Sequence, residues 1–259
     1  MDMTQTESRR FLIDALLSEQ RRYRGVTIPT DAEEQKTLLR SLMNVREPGE
    51  IGEAFLRVQD EYLQARLKER GVVDLNDLTP VRDGLYLWKG DITLLRCGAI
   101  VNAANSGMTG CYRPCHACID NCIHTYAGIQ LRRDCGELMA RQGFPEPTGK
   151  AKLTKGYNLP CDYILHTVGP IVEGPLTEEH KRLLESCYRS CLTLAAENGV
   201  ESVAFCCIST GVFGFPKREA AEIAVNTVKA WKREQSSDMK VIFNVFGNED
   251  LAIYQNLLR

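Results

Sequence analysis

Four cysteines and two histidines crowd into the eighteen residues of the segment CYRPCHACIDNCIHTYAG, positions 111–128. Within it Cys111, His116 and Cys118 form the spacing C-x4-H-x-C on a Gly-Cys-Tyr-Arg-Pro loop, with Cys115 and Cys122 as further candidate ligands. Thiolate and imidazole are ligands that zinc prefers, and a structural zinc site pairs two such hooks to reach four protein ligands. Here there is one hook, with no second CxxC and no HxxxH elsewhere. Three ligands leave one position open to water or substrate, the arrangement of a catalytic zinc. Two other readings stay open: a redox role, since Cys115 and Cys118 form a CxxC without a thioredoxin-like setting, and a loop with a structural metal or none. The helix that follows carries an apolar stripe of Ile119, Cys122, Ile123 and Tyr126, which turns Asp120 and His124 to the other side, one turn apart. His124 reads as a satisfied core or cap residue, His166 as structural within a strand, and His180 as lying on a helix surface.

Other polar groups gather where strands end. AIVNAAN begins apolar and finishes with Asn102 and Asn105. An amide both donates and accepts, so it can hold ribose hydroxyls or orient a water, although turn asparagines are common. VAFCCI runs into Ser209, Thr210, Gly211, Val212, Phe213, Gly214, Phe215 and Pro216, then into the helical pattern KREAAEIAVNTVKAW. A glycine-containing loop ahead of a helix N-terminus presents N–H groups to an anion and lets a diphosphate approach closely. Phe213 and Phe215 could pack on a sugar or base, and Pro216 suits the first helical turn. A plain strand-to-helix turn is the alternative. The spacing is neither a P-loop nor GxGxxG, which excludes the standard NTPase and dehydrogenase readings. In GDIT, residues 90–93, Asp91 can accept from an exocyclic amine or cap the next segment. A nucleotide deaminase is also disfavoured: PCHAC supplies P-C-x-x-C, but no H-x-E accompanies it.

These groups need a scaffold. From about residue 84, short β-rich segments at 85–93, 99–105, 163–170, 203–211 and 240–246 alternate with helical patterns at 119–142, 178–198 and 217–234. That alternation predicts a three-layer α/β domain whose ligands collect at the carboxyl ends of the strands. Residues 5–71 read instead as three helices: Phe11, Leu12, Ala15 and Leu16 at helical spacing, a second helix capped by Thr30, and a third at 52–70 stopped by Gly71. The chain of 259 residues is 44% hydrophobic and 25% charged with net charge −2, which gives no general pull toward nucleic acid or anionic membranes. No apolar run is long enough to span a bilayer. Asp2 and the lack of a small-residue cleavage site in MDMTQTESRRFLIDALL predict no secretory signal, hence a cytoplasmic protein with eleven reduced cysteines. Cys187, Cys191, Cys206 and Cys207 lie in apolar segments and read as small hydrophobes.

The ordered motifs GDIT, IVNAAN, a polar loop leading to a helix with Ile-His and Ala-Gly, HTVGP and STGVFGFP resemble the macrodomain, an ADP-ribose-binding module, from about residue 80 to 259. CYRPCHAC stands where ordinary macrodomains carry a glycine-rich loop. In that respect the chain resembles the zinc-dependent macrodomains, bacterial and fungal hydrolases with a helical N-terminal extension. The resemblance implies an extension over 1–79 and a macrodomain over 80–259, an α/β/α fold with a mixed central sheet. It implies one Zn2+ on Cys111, His116 and Cys118. It also places Asp91 at the adenine amino group with Ile92 beside it, and Ser209 to Phe215 around the diphosphate and distal ribose. Asn105 would contact that ribose with Asn102 close behind, Asp120 would stand at a catalytic aspartate position, and Phe246 and Asn248 would flank the adenosine. The implied reaction removes mono-ADP-ribose from a protein side chain. The implied partner is a lipoylated, glycine-cleavage-H-like carrier protein modified by a sirtuin-like transferase. The alternative is a non-catalytic reader of ADP-ribose with a structural zinc.

Overall fold

A computed structural model describes residues 3–259; Asp2, part of the N-terminal reading above, lies outside them. The first layer is helical: α1 (Gln5–Ser18), α2 (Ala32–Val45) and α3 (Glu53–Arg70). Leu12, Ile13, Leu16, Leu39, Leu42, Met43, Phe55, Val58, Tyr62 and Leu63 share one apolar cluster there. Phe11, expected on the inner stripe, is 37% exposed; Ile13 takes the buried position. Helix α2 is capped by Asp31 rather than Thr30, because its carboxylate reaches the N–H groups of both Glu33 and Glu34 at 2.9 Å.

A short parallel pair, β1 (Val73–Asp74) with β3 (Leu95–Arg96), leads into the main sheet. That sheet has six strands, β2 (Leu85–Lys89), β4 (Ala99–Ala104), β5 (Ala151–Lys155), β6 (Tyr163–Val168), β7 (Ser202–Phe205) and β8 (Lys240–Val245). Their order is β2-β8-β7-β4-β6-β5, and every pairing is parallel except β5 with β6. The three layers are therefore as the strand–helix alternation predicts, and the mixed sheet is as the resemblance implies. Helices α4 (Ile119–Ala127) and α5 (Ile129–Gln142) connect β4 toward β6, whereas α6 (Glu178–Glu197) and α7 (Lys217–Glu234) step back through β7 to β8. Right-handed crossovers in opposite directions put these two helix groups on opposite faces. Helix α8 (Asn248–Leu257) packs on α7, β2 and β8.

The parallel strands all end at one edge, where Asp91, Asn105, Gly169, the loop after Phe205 and Phe246 follow them. The single helical pattern read over 119–142 is two helices. The break is at Gly128, φ 101°, where a Cβ would lie 2.5 Å from Gln130 Oε1 and 2.7 Å from Gln59 Nε2. Strand β7 stops at Phe205, so Cys206 to Gly211 are loop rather than strand.

Candidate functional site

The loop between β4 and α4 brings its ligand atoms together. Cys111, His116 and Cys118 each offer one atom within 4.8 Å of the other two. Cys111 Sγ lies 3.6 Å from His116 Nδ1. Tetrahedral zinc with Zn–S of about 2.3 Å and Zn–N of about 2.05 Å separates such atoms by about 3.6 Å. Cys118 caps α4, its sulfur accepting the Asn121 N–H at 3.4 Å, where the helix dipole favours negative charge. Burial nevertheless pushes the Cys118 thiol up to about 12, countered by that N–H and reinforced by Cys111. Two adjacent thiolates here call for a cation's charge, so donor set and spacing both fit zinc. The further candidates turn away: Cys115 Sγ meets Ser41 Oγ at 3.2 Å, and Cys122 Sγ lies 3.6 Å from an Arg40 nitrogen. All eleven cysteines are free thiols.

Behind this loop sits a largely buried polar network. Asp120 is 5% exposed and His124 4%, so the face of α4 expected to point outward is the buried one. The helix is wedged between β4, α2 and α5, and Ile119, Cys122 and Tyr126 are the half-exposed residues. Asn102 Nδ2 donates to Asp120 Oδ1 at 2.8 Å and to His166 Nδ1 at 3.1 Å. Asn105 Nδ2 donates to Asp120 Oδ2 at 3.3 Å and to the Gly110 carbonyl at 3.1 Å, one residue before Cys111. Burial raises the Asp120 carboxyl to about 6, against the hydrogen bonds of Asn102 and Asn105 and the charge of Arg132. Since both Asn102 amide protons are directed at acceptors, His166 carries its proton on Nε2 and donates to Thr154 Oγ1 at 2.9 Å. Asn102 is fully buried, so it cannot line a ligand surface as expected; its amide holds Asp120 instead. His124 is not the satisfied histidine expected: neither ring nitrogen has a partner, and Nε2 is 3.6 Å from Asp120 Oδ1. Burial first, and then the positive Arg132 nearby, hold it neutral, well below the usual imidazole range.

Toward the far end of the strand edge, Asp91 does what its capping alternative describes. Thr93 N–H and Oγ1–H donate to its Oδ1 at 3.0 and 2.7 Å. Its Oδ2 pairs with Arg70 of α3 at 2.5 Å, and that guanidinium stacks 3.8 Å from the Tyr126 ring centroid. Ile92 is core, 2% exposed. In the 209–215 loop the N–H groups of Thr210, Gly214 and Phe215 donate to the carbonyls of Cys207, Gly211 and Ser209. Those of Gly211, Val212 and Phe213 have no protein acceptor among the described residues, which leaves three consecutive donors. Ser209, at φ 64°, has a buried, unpartnered hydroxyl. A Cβ on Gly169 of HTVGP would lie 2.0 Å from that oxygen, so two distant motifs fit only because residue 169 is glycine. Phe215 corrects its expectation: it is 2% exposed and anchors the loop in the core, whereas Val212 and Phe246 are 81% and 78% exposed. Asn248 accepts from Lys89 Nζ at 2.5 Å.

Sequence reasoning missed Arg40, Asn44, Arg70, Asn121 and Arg132, all of which touch these groups. Their partners lie 21–89 residues away, with the exception of the short-range contacts of Asn121, and no local pattern announces such pairings.

The fold and this arrangement define a class. A macro domain profile matches residues 101–224. The chain is 59% identical over 260 residues to a protein-ADP-ribose hydrolase of Treponema medium, covering 99% of this chain and 100% of that one. It is 47% identical over 262 residues to a protein-ADP-ribose hydrolase of Staphylococcus aureus (strain Mu50 / ATCC 700699), covering 99% and 98%. The Trypanosoma brucei macrodomain in complex with ADP-ribose superposes with a TM-score of 0.66 at 30% identity, over 85% of this chain and 95% of that one. This chain belongs to the macrodomain family.

Proposed function

We propose that the protein is a zinc-dependent hydrolase that removes mono-ADP-ribose from a modified protein side chain and releases free ADP-ribose. The observation that carries the reading is the Asn105 amide, which bonds both Asp120 and the carbonyl next to Cys111. It links the three converging ligands to the carboxyl ends of the strands, where ligands of such sheets gather. The names of the full-length relatives support the reaction class.

In this reading residues 1–79 form the extension and 80–259 the macrodomain. Asp91 meets the adenine amine, with Ile92 shaping the turn and Phe246 flanking the base. Ser209, Thr210, Gly211, Val212, Phe213, Gly214 and Phe215 form the diphosphate and ribose loop, in which the three donors at 211–213 face the anion and Phe215 anchors. This remote binding energy positions the scissile linkage. Asn105 holds the distal ribose, and Asp120, kept in place by two amides, orients water. Held by Cys111, His116 and Cys118, a zinc ion would supply Lewis-acid polarisation of a ribose or carbonyl oxygen; two thiolate ligands favour that over a free hydroxide. The substrate we propose is a lipoylated, glycine-cleavage-H-like carrier protein in the cytoplasm. No helix of the described residues is long and apolar enough to cross a membrane.

The test incubates mono-ADP-ribosylated carrier protein with wild type, with wild type plus chelator, and with Cys118→Ala. Wild type is expected to release free ADP-ribose, while the other two retain binding and lose release. A wild type that binds ADP-ribose and releases none is a reader, and the proposal then fails.

A further inference from the structure

We infer that α2 is a positioning brace for the metal loop, acting through Arg40 and Asn44; this rests on the zinc reading above. The loop cannot shape itself. Its Arg113-Pro114-Cys115-His116 turn closes with the His116 N–H on the Arg113 carbonyl at 3.2 Å. With proline second and a positive φ third, this is the pattern of a type II turn, whose third position is normally glycine. Cys115 occupies it at φ 51°, a left-handed conformation that a residue with a Cβ resists. The imidazole ligand is the next residue, so whatever holds Cys115 aims His116.

What holds Cys115 comes from outside the loop. Asn44 Oδ1 accepts the Cys115 N–H at 2.9 Å, and the Cys115 thiol lies between Ser41 Oγ at 3.2 Å and the Thr37 carbonyl at 3.5 Å. Arg40 donates to the His116 carbonyl at 2.8 Å and to Asn121 Oδ1 at 2.9 Å. Asn121 Nδ2 passes that restraint on, donating to the carbonyls of Cys111 and Arg113 at 3.3 and 3.0 Å. The backbone at Cys111 and at His116 is thereby tied to one arginine. Asn44 is itself fixed, its Nδ2 donating to Thr125 Oγ1 of α4 at 2.9 Å.

The four α2 residues involved, Thr37, Arg40, Ser41 and Asn44, are spaced i, i+3, i+4 and i+7, one stripe of a helix. Leu39, Leu42 and Met43 lie off that stripe and bury in the helical layer's own cluster. A helix that merely packed on the loop would offer apolar side chains. This stripe instead satisfies the backbone of a strained turn, as outer groups do when they fix metal ligands in place.

The experiment measures zinc affinity of the full-length protein by competition with a chromophoric chelator, alongside ADP-ribose affinity and thermal unfolding. Arg40→Ala and Asn44→Ala are expected to weaken zinc binding by roughly 10- to 100-fold, with ADP-ribose affinity within twofold of wild type. Arg40→Lys should recover part of the loss, and Lys36→Ala, on the same helix but paired with Glu33, should lose nothing. Cys115→Gly placed in the Asn44→Ala background should regain affinity, because glycine needs no clamp to adopt the turn. If Asn44→Ala does not fold, the half-buried Arg40→Ala still decides. Zinc affinity within twofold of wild type in folded Arg40→Ala overturns the brace alone. A wild type that takes up no zinc overturns the zinc reading and the brace with it.

Discussion

His166 is completely buried, and burial lowers its imidazole from 6.5 to about 3. It faces Asn102 on β4, Thr154 on β5, Cys135 on α5 and His124 on α4, with Asp120 reached through Asn102. In the folded protein it stays neutral while the unfolded chain takes up a proton below 6.5. Its contribution is therefore intact above that value and is lost as pH falls toward 3. Between pH 7 and pH 5 this one group should remove about 2 kcal/mol of stability. Denaturant titrations at the two values check it, and a His166→Gln protein should show a correspondingly shallower loss. A second prediction concerns Gly169. Forcing a Cβ against Ser209 Oγ and Ile208 Cγ2 must shift the 209–215 loop, so Gly169→Ala should cost about 1–3 kcal/mol of stability. Calorimetric titration with ADP-ribose should show at least tenfold weaker binding; unchanged affinity would mean that the loop does not hold the ligand.

Between elements, Arg70 joins the last turn of α3 to the Asp91 turn and to Tyr126 of α4. The pair is partly buried, bonds Thr93 Oγ1 at 3.1 Å as well, and is stacked on an aromatic ring. Arg70→Ala is expected to cost about 1–2 kcal/mol, and ADP affinity should fall more than affinity for a ribose phosphate lacking the base. Equal losses for both ligands would show that Asp91 is not at the base end. The elements differ in how well the sequence announces them. β4, β6, β7 and β8 are covered on both faces and read as continuous apolar runs, so their existence was legible. β5, AKLTK, is an edge strand with two lysines and only one buried residue, and carries no such run. α8 has a weakly sided pattern with only Ile253 and Tyr254 buried. The break at Gly128 exists because Gln59 approaches from α3, a contact that no local window contains. The hook at 111–118 was legible because its spacing is local. The inward turn of Asp120 and His124 was not, because that face of α4 is received by Asn102, Asn105 and His166, polar groups on or just past strands that no local window shows to be its neighbours.

Across the whole molecule, the helical layer and the sheet are joined by polar as well as apolar contact. Ile129 of α5 belongs to the layer's cluster, and its N–H donates to Gln59 Oε1 at 2.9 Å. Arg132, 4% exposed, gives one nitrogen to the carbonyls of Met43, Asn44 and Arg46. Removing either side leaves buried donors and acceptors without partners. The full chain should therefore unfold in one calorimetric transition with matching van't Hoff and calorimetric enthalpies. Two resolved transitions would show that the layer and the sheet are separate folding units.

The direction of the chain gives the polar stripe of α2 a further meaning. Apart from Ile129, every buried member of that layer's cluster lies between residues 12 and 63, so it leaves the ribosome well before position 111 does. The residues that receive the hook, at 37–44, are thus already on the nascent chain when its first ligand, Cys111, is added.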